Sequence, residues 1–214
     1  MTDLTSQITT RTVDGVQISA TAAAPLTPLV NDVLDIFESK RDEWAHEFII
    51  WFGWIPIFLV ADGDDYVVTS YNLTGDNTTG TRSQDLTIAL STTALLAEYP
   101  RRCGLTPAEV YFNQDVIAAR GWEESAGLQL DRSFVTNPDD SGWFIQPFPQ
   151  VDPDREWQVD ELTRLKVYEV LAARPAAAHV MGLPTGVVAV ITDDNVRAIF
   201  NGDDGTILWD DRGD

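Results

Sequence analysis

The chain has 214 residues, 44% hydrophobic and 10% aromatic, with seven Trp, which argues against a disordered chain and admits one large domain or two small ones with their own cores. Against 34 Asp and Glu stand 14 Lys and Arg, a net charge of −20; a field of that sign repels nucleic acid and anionic lipid and favours basic proteins. The single cysteine, Cys103, has no second cysteine to pair with, so a reducing compartment is expected.

The first residues, MTDLTSQITTRTVDG, lack the basic-then-apolar pattern of a signal peptide, and a cytoplasmic location is expected. DGVQISATA (14–22) reads as a strand followed by a loop. Residues 27–44 read as a helix: Thr27 can cap it, Pro28 suits its first position, and Leu29, Val30, Val33, Leu34 and Phe37 share a face. FIIWFGW (48–54), IPIFLVA (55–61) and, after an Asp-Gly turn, YVVTSYNL (66–73) read as strands. The apolar run 48–60 has 13 residues and contains Pro56, short of the roughly 18 to 20 that a membrane helix needs. After a polar loop (74–83), residues 84–99 read as a second helix that Pro100 ends.

Cys103–Pro107 is the expected boundary between two subdomains, 1–107 and 108–214. EVYF (109–112) reads as a strand, although Thr106 and Glu109 have the spacing of a capping box for a longer helix. NQDVIAARG (113–121) reads as a short helix, capped by Asn113 and stopped by Gly121. LQLDRSFV (128–135) and GWFIQPF (142–148) read as strands. Residues 159–174 read as a helix with Leu162, Leu165, Tyr168 and Leu171 on one face, and the following PAAAHVMGLPTG (175–186) ends in turn residues. VVAVI, VRAIF and TILW close the chain as short strands, with TDDN and NGDDG as turns. Strands and helices mix without alternating as βαβ units. The expected class is therefore α+β, with mixed or antiparallel sheets packed against a few helices.

Chemistry-bearing motifs are absent. His46 opens a sequence like a zinc-protease helix, but the second histidine would fall at Ile50. Ser141 sits in Asp-Ser-Gly-Trp, not in a nucleophile elbow. Cys103 follows Arg102, a charge that would lower a thiol pKa, but a catalytic cysteine also needs a histidine brought to it. Glycine-rich phosphate loops are missing. DGDDY (62–66) and NGDDG (201–205) gather oxygen ligands without EF-hand spacing and read as acidic turns. No catalytic residue, cofactor or metal is expected.

Thr136–Phe148, TNPDDSGWFIQPF, combines turn chemistry at Asn137–Asp140 with a strand entered through Ser141-Gly142. Either Trp143 packs into the core and the acids are solvated, or Asp139 and Asp140 edge a protein-binding surface. With Arg132 before it, the run Asp140-Ser141-Gly142-Trp143-Phe144 resembles the immunity proteins of bacterial polymorphic toxin systems, immunity family thirty-three. Arg174, Pro175, Leu183, Pro184 and Gly186 resemble a segment of longer relatives, so the resemblance covers about residues 108–210. Members often place Gly and an acid soon after the aromatics, where this chain has QPFPQVDPD.

The resemblance implies a cytoplasmic protein that binds and neutralises one cognate toxin without catalysis. The acidity suits a basic toxin, with neither nucleic acid nor membrane as partner. The residues expected to meet it are Asp139, Asp140, Trp143, Asp152, Asp154, Asp203 and Asp204. The alternatives are a metal-assisted hydrolase using acidic residues and an acidic housekeeping module.

Overall fold

The computed structural model describes residues 5–74, 80–150 and 155–212. They group into two compact units, Met1–Ala94 and Leu95–Asp214, each with its own sheet. The class is α+β, with mixed sheets and a few helices, as the sequence predicts.

In the first unit β1 (Ser6–Val13) and β2 (Val16–Ala23) form a hairpin. Its turn residues, Asp14 and Gly15, both have positive φ, as a two-residue Asp-Gly turn requires. The sequence reading named only the second of these strands. Helix α1 (Thr27–Ser39) buries Val30, Val33, Leu34 and Phe37, while Leu29 stays half-buried. Thr27 does not cap it; its hydroxyl donates to the carbonyl of Ala24. Strands β3 (Phe48–Phe52), β4 (Ile55–Asp62) and β5 (Asp65–Tyr71) form a meander, and β6 (Arg82–Ser83) adds to β5. The sheet order is β1-β2-β5-β4-β3, with β2 and β5 parallel.

Helix α2 (Thr87–Arg102) runs past Pro100, where the sequence reading ends it. Proline forfeits one N–H and clashes most in a helix interior; here only two residues follow it. Leu105 N–H donates back to the Pro100 carbonyl at 2.8 Å, closing the helix end.

The second unit corrects three expectations. Residues 109–112 form no strand. The predicted helix 113–121 is instead strand β7 (Asp115–Ala119), because β-branched Val116 and Ile117 favour an extended chain and ladders on both sides satisfy its backbone. The predicted helix 159–174 begins as an edge strand, β10 (Leu162–Lys166), and only α3 (Val167–Ala173) is helical. The Glu169 carboxylate accepts the Lys166 N–H, which fixes the helix start there. A short helix, α4 (Pro175–His179), follows before the turn residues that end this segment.

Between these lie β8 (Gly127–Arg132) and β9 (Asp140–Pro147). After them come β11 (Val187–Thr192), β12 (Asn195–Asn201) and β13 (Ile207–Asp210). The order is β10-β7-β9-β8-β11-β12-β13, antiparallel except for the β7–β9 pair. One sheet face is core: Val116, Ala118, Leu128, Leu130, Trp143, Ile145, Ala189, Ile191 and Ile199 are almost fully buried, as are Val170, Ala177 and Ala178 of the two short helices.

Candidate functional site

Strand pairing collects one set of loops at one end of the seven-stranded sheet. Lys166 pairs with Asp115, Asp115 with Asp140, Arg132 with Trp143, and Val187 with Asn201. That end therefore carries the segments 109–114, 133–139, 180–186 and 202–206.

The signature residues turn inward at this end. Arg132, the last residue of β8, donates to four main-chain carbonyls. Nε reaches Ser141 at 3.1 Å, Nη1 reaches Leu183 at 2.6 Å and Met181 at 3.3 Å, and Nη2 reaches Glu109 at 2.8 Å. Its partners are neutral dipoles, and burial alone pushes the guanidinium below its ordinary value. Ser141 is buried, and its hydroxyl donates to the Asp115 carbonyl at 2.7 Å, tying β9 to β7. Gly142 has φ of +78°, and a Cβ there would overlap the Ser133 carbonyl oxygen.

Trp143, expected among the partner-binding residues, is 1% exposed and donates its indole N–H to the Met181 carbonyl at 3.0 Å. It is core, because the alternation along β9 sends Trp143 and Ile145 to the buried face. At the opposite end Arg174, also buried, donates to the Ser125 carbonyl at 2.7 Å and lies 3.5 Å from the Asp194 carboxylate. Of the residues that carry the family resemblance, Arg132, Ser141, Gly142, Trp143 and Arg174 are thus structural.

The predicted acids lie around them at the surface. Asp139 N–H donates to the Asn137 side chain at 3.1 Å, and Gly142 N–H donates to the Asp140 carboxylate at 2.8 Å. Gln114 holds the turn from outside through the Pro138 carbonyl at 2.8 Å, and Asp115 N–H through that of Asp139 at 2.7 Å. Asp203 and Asp204 form the β12–β13 turn, where Thr206 N–H donates to the Asp204 carboxylate at 2.9 Å and holds it below the usual carboxylate range. Gly202 N–H donates to the Gly186 carbonyl, and Gly186 N–H to that of Arg132, so the two acidic turns share one end of the sheet. Three strand spacings separate β9 from β12, or about 14 Å. Among the described residues none of these four aspartates is in an ion pair, whereas Asp115 is neutralised by Lys166 at 2.6 Å. Asp152 and Asp154 lie outside the described residues.

Sequence reasoning missed Phe134. It is 80% exposed in the loop between β8 and β9, on the rim of an open groove of about 320 Å³ lined also by Tyr111, Gln114, Asn137, Asp140 and Thr185. By strand parity Phe134 would follow Leu128, Leu130 and Arg132 inward, but β8 stops at Arg132 and Gly142 folds against Ser133. Ile207, at the start of β13, is 51% exposed at the same end. Tyr111 donates to the Glu109 carboxylate at 3.1 Å, which raises its own pKa.

Among the described residues no group of three or more His, Cys, Asp or Glu side chains is placed to hold a metal. Burial pushes the Cys103 thiol up to about 11, away from thiolate chemistry. In the first unit a cleft of about 340 Å³ contains Asp85, whose carboxylate is engaged by Ser6 and by the Thr87 N–H, each at 2.8 Å. No helix among the described residues is long and apolar enough to cross a membrane.

No curated protein and no solved structure matches the chain. Residues 97–202 match the family model of the Imm33-like domain, so the second unit carries an immunity-family domain of this kind. The match includes the clamp arginines, the Asp-Ser-Gly-Trp run and the last turns of α2.

Proposed function

We propose that the chain is an immunity protein that binds a cognate, basic protein toxin in the cytoplasm and neutralises it by occlusion, without turnover. The observation that carries this reading is the Imm33-like match across residues 97–202. The contact surface we assign is the sheet end that displays Phe134 and Ile207 among Glu109, Asp139, Asp140, Asp203 and Asp204.

Physical chemistry supports that assignment. An exposed aromatic beside a groove is the kind of side chain that supplies a binding hot spot. Carboxylates without internal cations leave an uncompensated negative rim, which steers a basic partner and speeds its capture. The turns that carry them are braced by main-chain hydrogen bonds, so little ordering entropy is lost on docking.

The experiment is capture on immobilised protein from the source lysate, with elution by a salt gradient. The expected result is one stoichiometric basic protein, released at high salt, whose toxic activity the purified chain abolishes. Retention of none of the toxins encoded beside the gene, when all are present in the lysate, overturns the reading.

A further inference from the structure

Strand register lays one row of side chains across the face of the seven-stranded sheet opposite its core. Ile117 pairs with Phe144, Phe144 with Asp131, Asp131 with Val188, Val188 with Phe200, and Phe200 with Ile207. Alternation along each strand puts this row on the side away from Leu130, Trp143 and Ala189. All six residues are partly exposed. Five are apolar, and Asp131 alone is charged. Phe144 and Val188 flank it, and burial pushes its carboxyl above the usual carboxylate range, against the pull of two glutamines. Gln129 Nε2 donates to both of its oxygens and Gln146 Nε2 to Oδ2, each at 3.2 Å. These donors are neutral, and among the described residues Asp131 is in no ion pair. The cations of the surrounding strands are committed elsewhere. Arg132 turns to main-chain carbonyls, Arg164 and Lys166 lie 3.6 and 2.6 Å from Asp115, and Arg197 lies 2.9 Å from Asp211.

We infer that this face receives an arginine side chain of the basic protein partner, with its guanidinium seated on Asp131 between Phe144 and Val188. The inference rests on the proposed function and deepens it by naming the side chain through which the partner is held. The row ends at Ile207, which belongs to the assigned contact surface, so one partner spans both. A carboxylate withdrawn from water among apolar groups is stabilised by an opposite charge placed against it.

Charge asks for a cation, and the apolar flanks select arginine over lysine. A guanidinium is planar, stacks on aromatic rings and is more weakly hydrated than an ammonium, so it enters an apolar setting at lower cost. The same face already holds one such group. Trp157 meets Phe144 edge-on at 6.4 Å and carries the Arg155 guanidinium over its own ring at 4.1 Å. The amide donors also leave room. A carboxylate has about four acceptor positions, and the three hydrogen bonds from Gln129 and Gln146 leave one, on Oδ1, for a guanidinium N–H.

The first test titrates the blocked peptide acetyl-Gly-Arg-Gly-amide into the full chain and follows the aspartate carboxyl carbons by NMR, with the Gly-Lys-Gly peptide as control. Salt screens exposed acids such as Asp139 and Asp203 and acts less on a partly buried pair. The expected result is a saturable shift at Asp131 that persists at raised salt, with the lysine peptide binding about tenfold more weakly. Asp131→Asn, similar in shape and uncharged, abolishes saturable binding, and a thermal melt confirms that it folds. A response at Asp131 no stronger than at the exposed acids overturns the inference, and so does equal binding of the lysine peptide. The second test uses the protein captured on the immobilised chain. Asp131→Asn should weaken its binding about tenfold or more, through faster dissociation. A partner held equally by both chains overturns the inference and leaves the proposed function standing. Capture of no basic protein, with the arginine peptide still bound at Asp131, is the failure of the proposed function; the site then serves a small guanidinium ligand, and the docking of a protein arginine falls with that function.

Discussion

Gly182 lies against the main-chain carbonyl of Leu96, so close that a Cβ on Gly182 would overlap that oxygen. The acceptor is unusual. Leu96 is four residues before Pro100, which has no N–H to donate back to it. The carbonyl that proline leaves without its helical donor is the one that the chain after α4 passes over, and only a residue without a side chain fits. Gly182→Ala should therefore cost roughly 3 kcal/mol through forced displacement of backbone. Urea unfolding followed by Trp fluorescence measures it. A cost within experimental error would show that the contact relaxes freely.

Arg132 joins four carbonyls from three segments of the second unit. Arg132→Met leaves those oxygens short of donors and should destabilise the chain by roughly 3 kcal/mol. Arg132→Lys keeps the charge but not the planar fork that spans several acceptors, and should recover less than half of the loss. If lysine restored full stability, charge and not geometry would be the contribution of this residue.

His179 gives the second unit a pH dependence whose sign is fixed. Burial lowers its pKa below the ordinary 6.5, against an opposing pull from Asp194. The unfolded chain binds the proton more readily than the folded one. The stability this group contributes is complete above pH 6.5 and is lost as pH falls from there toward the folded value. His179→Gln should flatten that part of the stability profile. Denaturation midpoints taken across neutral to mildly acidic pH test it, and an unchanged slope in the variant would assign the dependence to other groups.

Phe134 is so exposed that its removal should leave folding untouched. As the anchor of a protein interface, Phe134→Ala should weaken partner binding by about 2 kcal/mol, near 30-fold, mainly through faster dissociation. Asp139→Asn and Asp203→Asn should act differently, each slowing association a few-fold and reducing its salt dependence. Surface plasmon resonance against the captured partner separates the two effects. Equal binding by Phe134→Ala and the wild type would move the interface away from this end of the sheet.

Strands β2 to β5, β8, β9 and β11 to β13 and the first helix were legible in the sequence because their signals are local. Asp-Gly turns, β-branched runs and the apolar face of residues 30–37 each point to one conformation. The α+β class follows from them, and so does the immunity-family domain, whose Arg, Asp-Ser-Gly-Trp and Arg-Pro residues are readable in line. Segments 113–121 and 159–166 misled for a shared reason. Their spacing of apolar residues and caps suits a helix, but β7 and β10 are held by ladders with residues far away in sequence.

The candidate surface needed the tertiary structure altogether. Composition alone showed an excess of acids. It could not show that Trp143 points inward while Phe134, two residues past the end of β8, points out. Nor could it show that the turns of Asp139–Asp140 and Asp203–Asp204, more than sixty residues apart in sequence, meet at one end of a sheet. Strand register made that decision: a residue's face and its end of the sheet are set by its pairing partner, and the partner is not written in the strand itself.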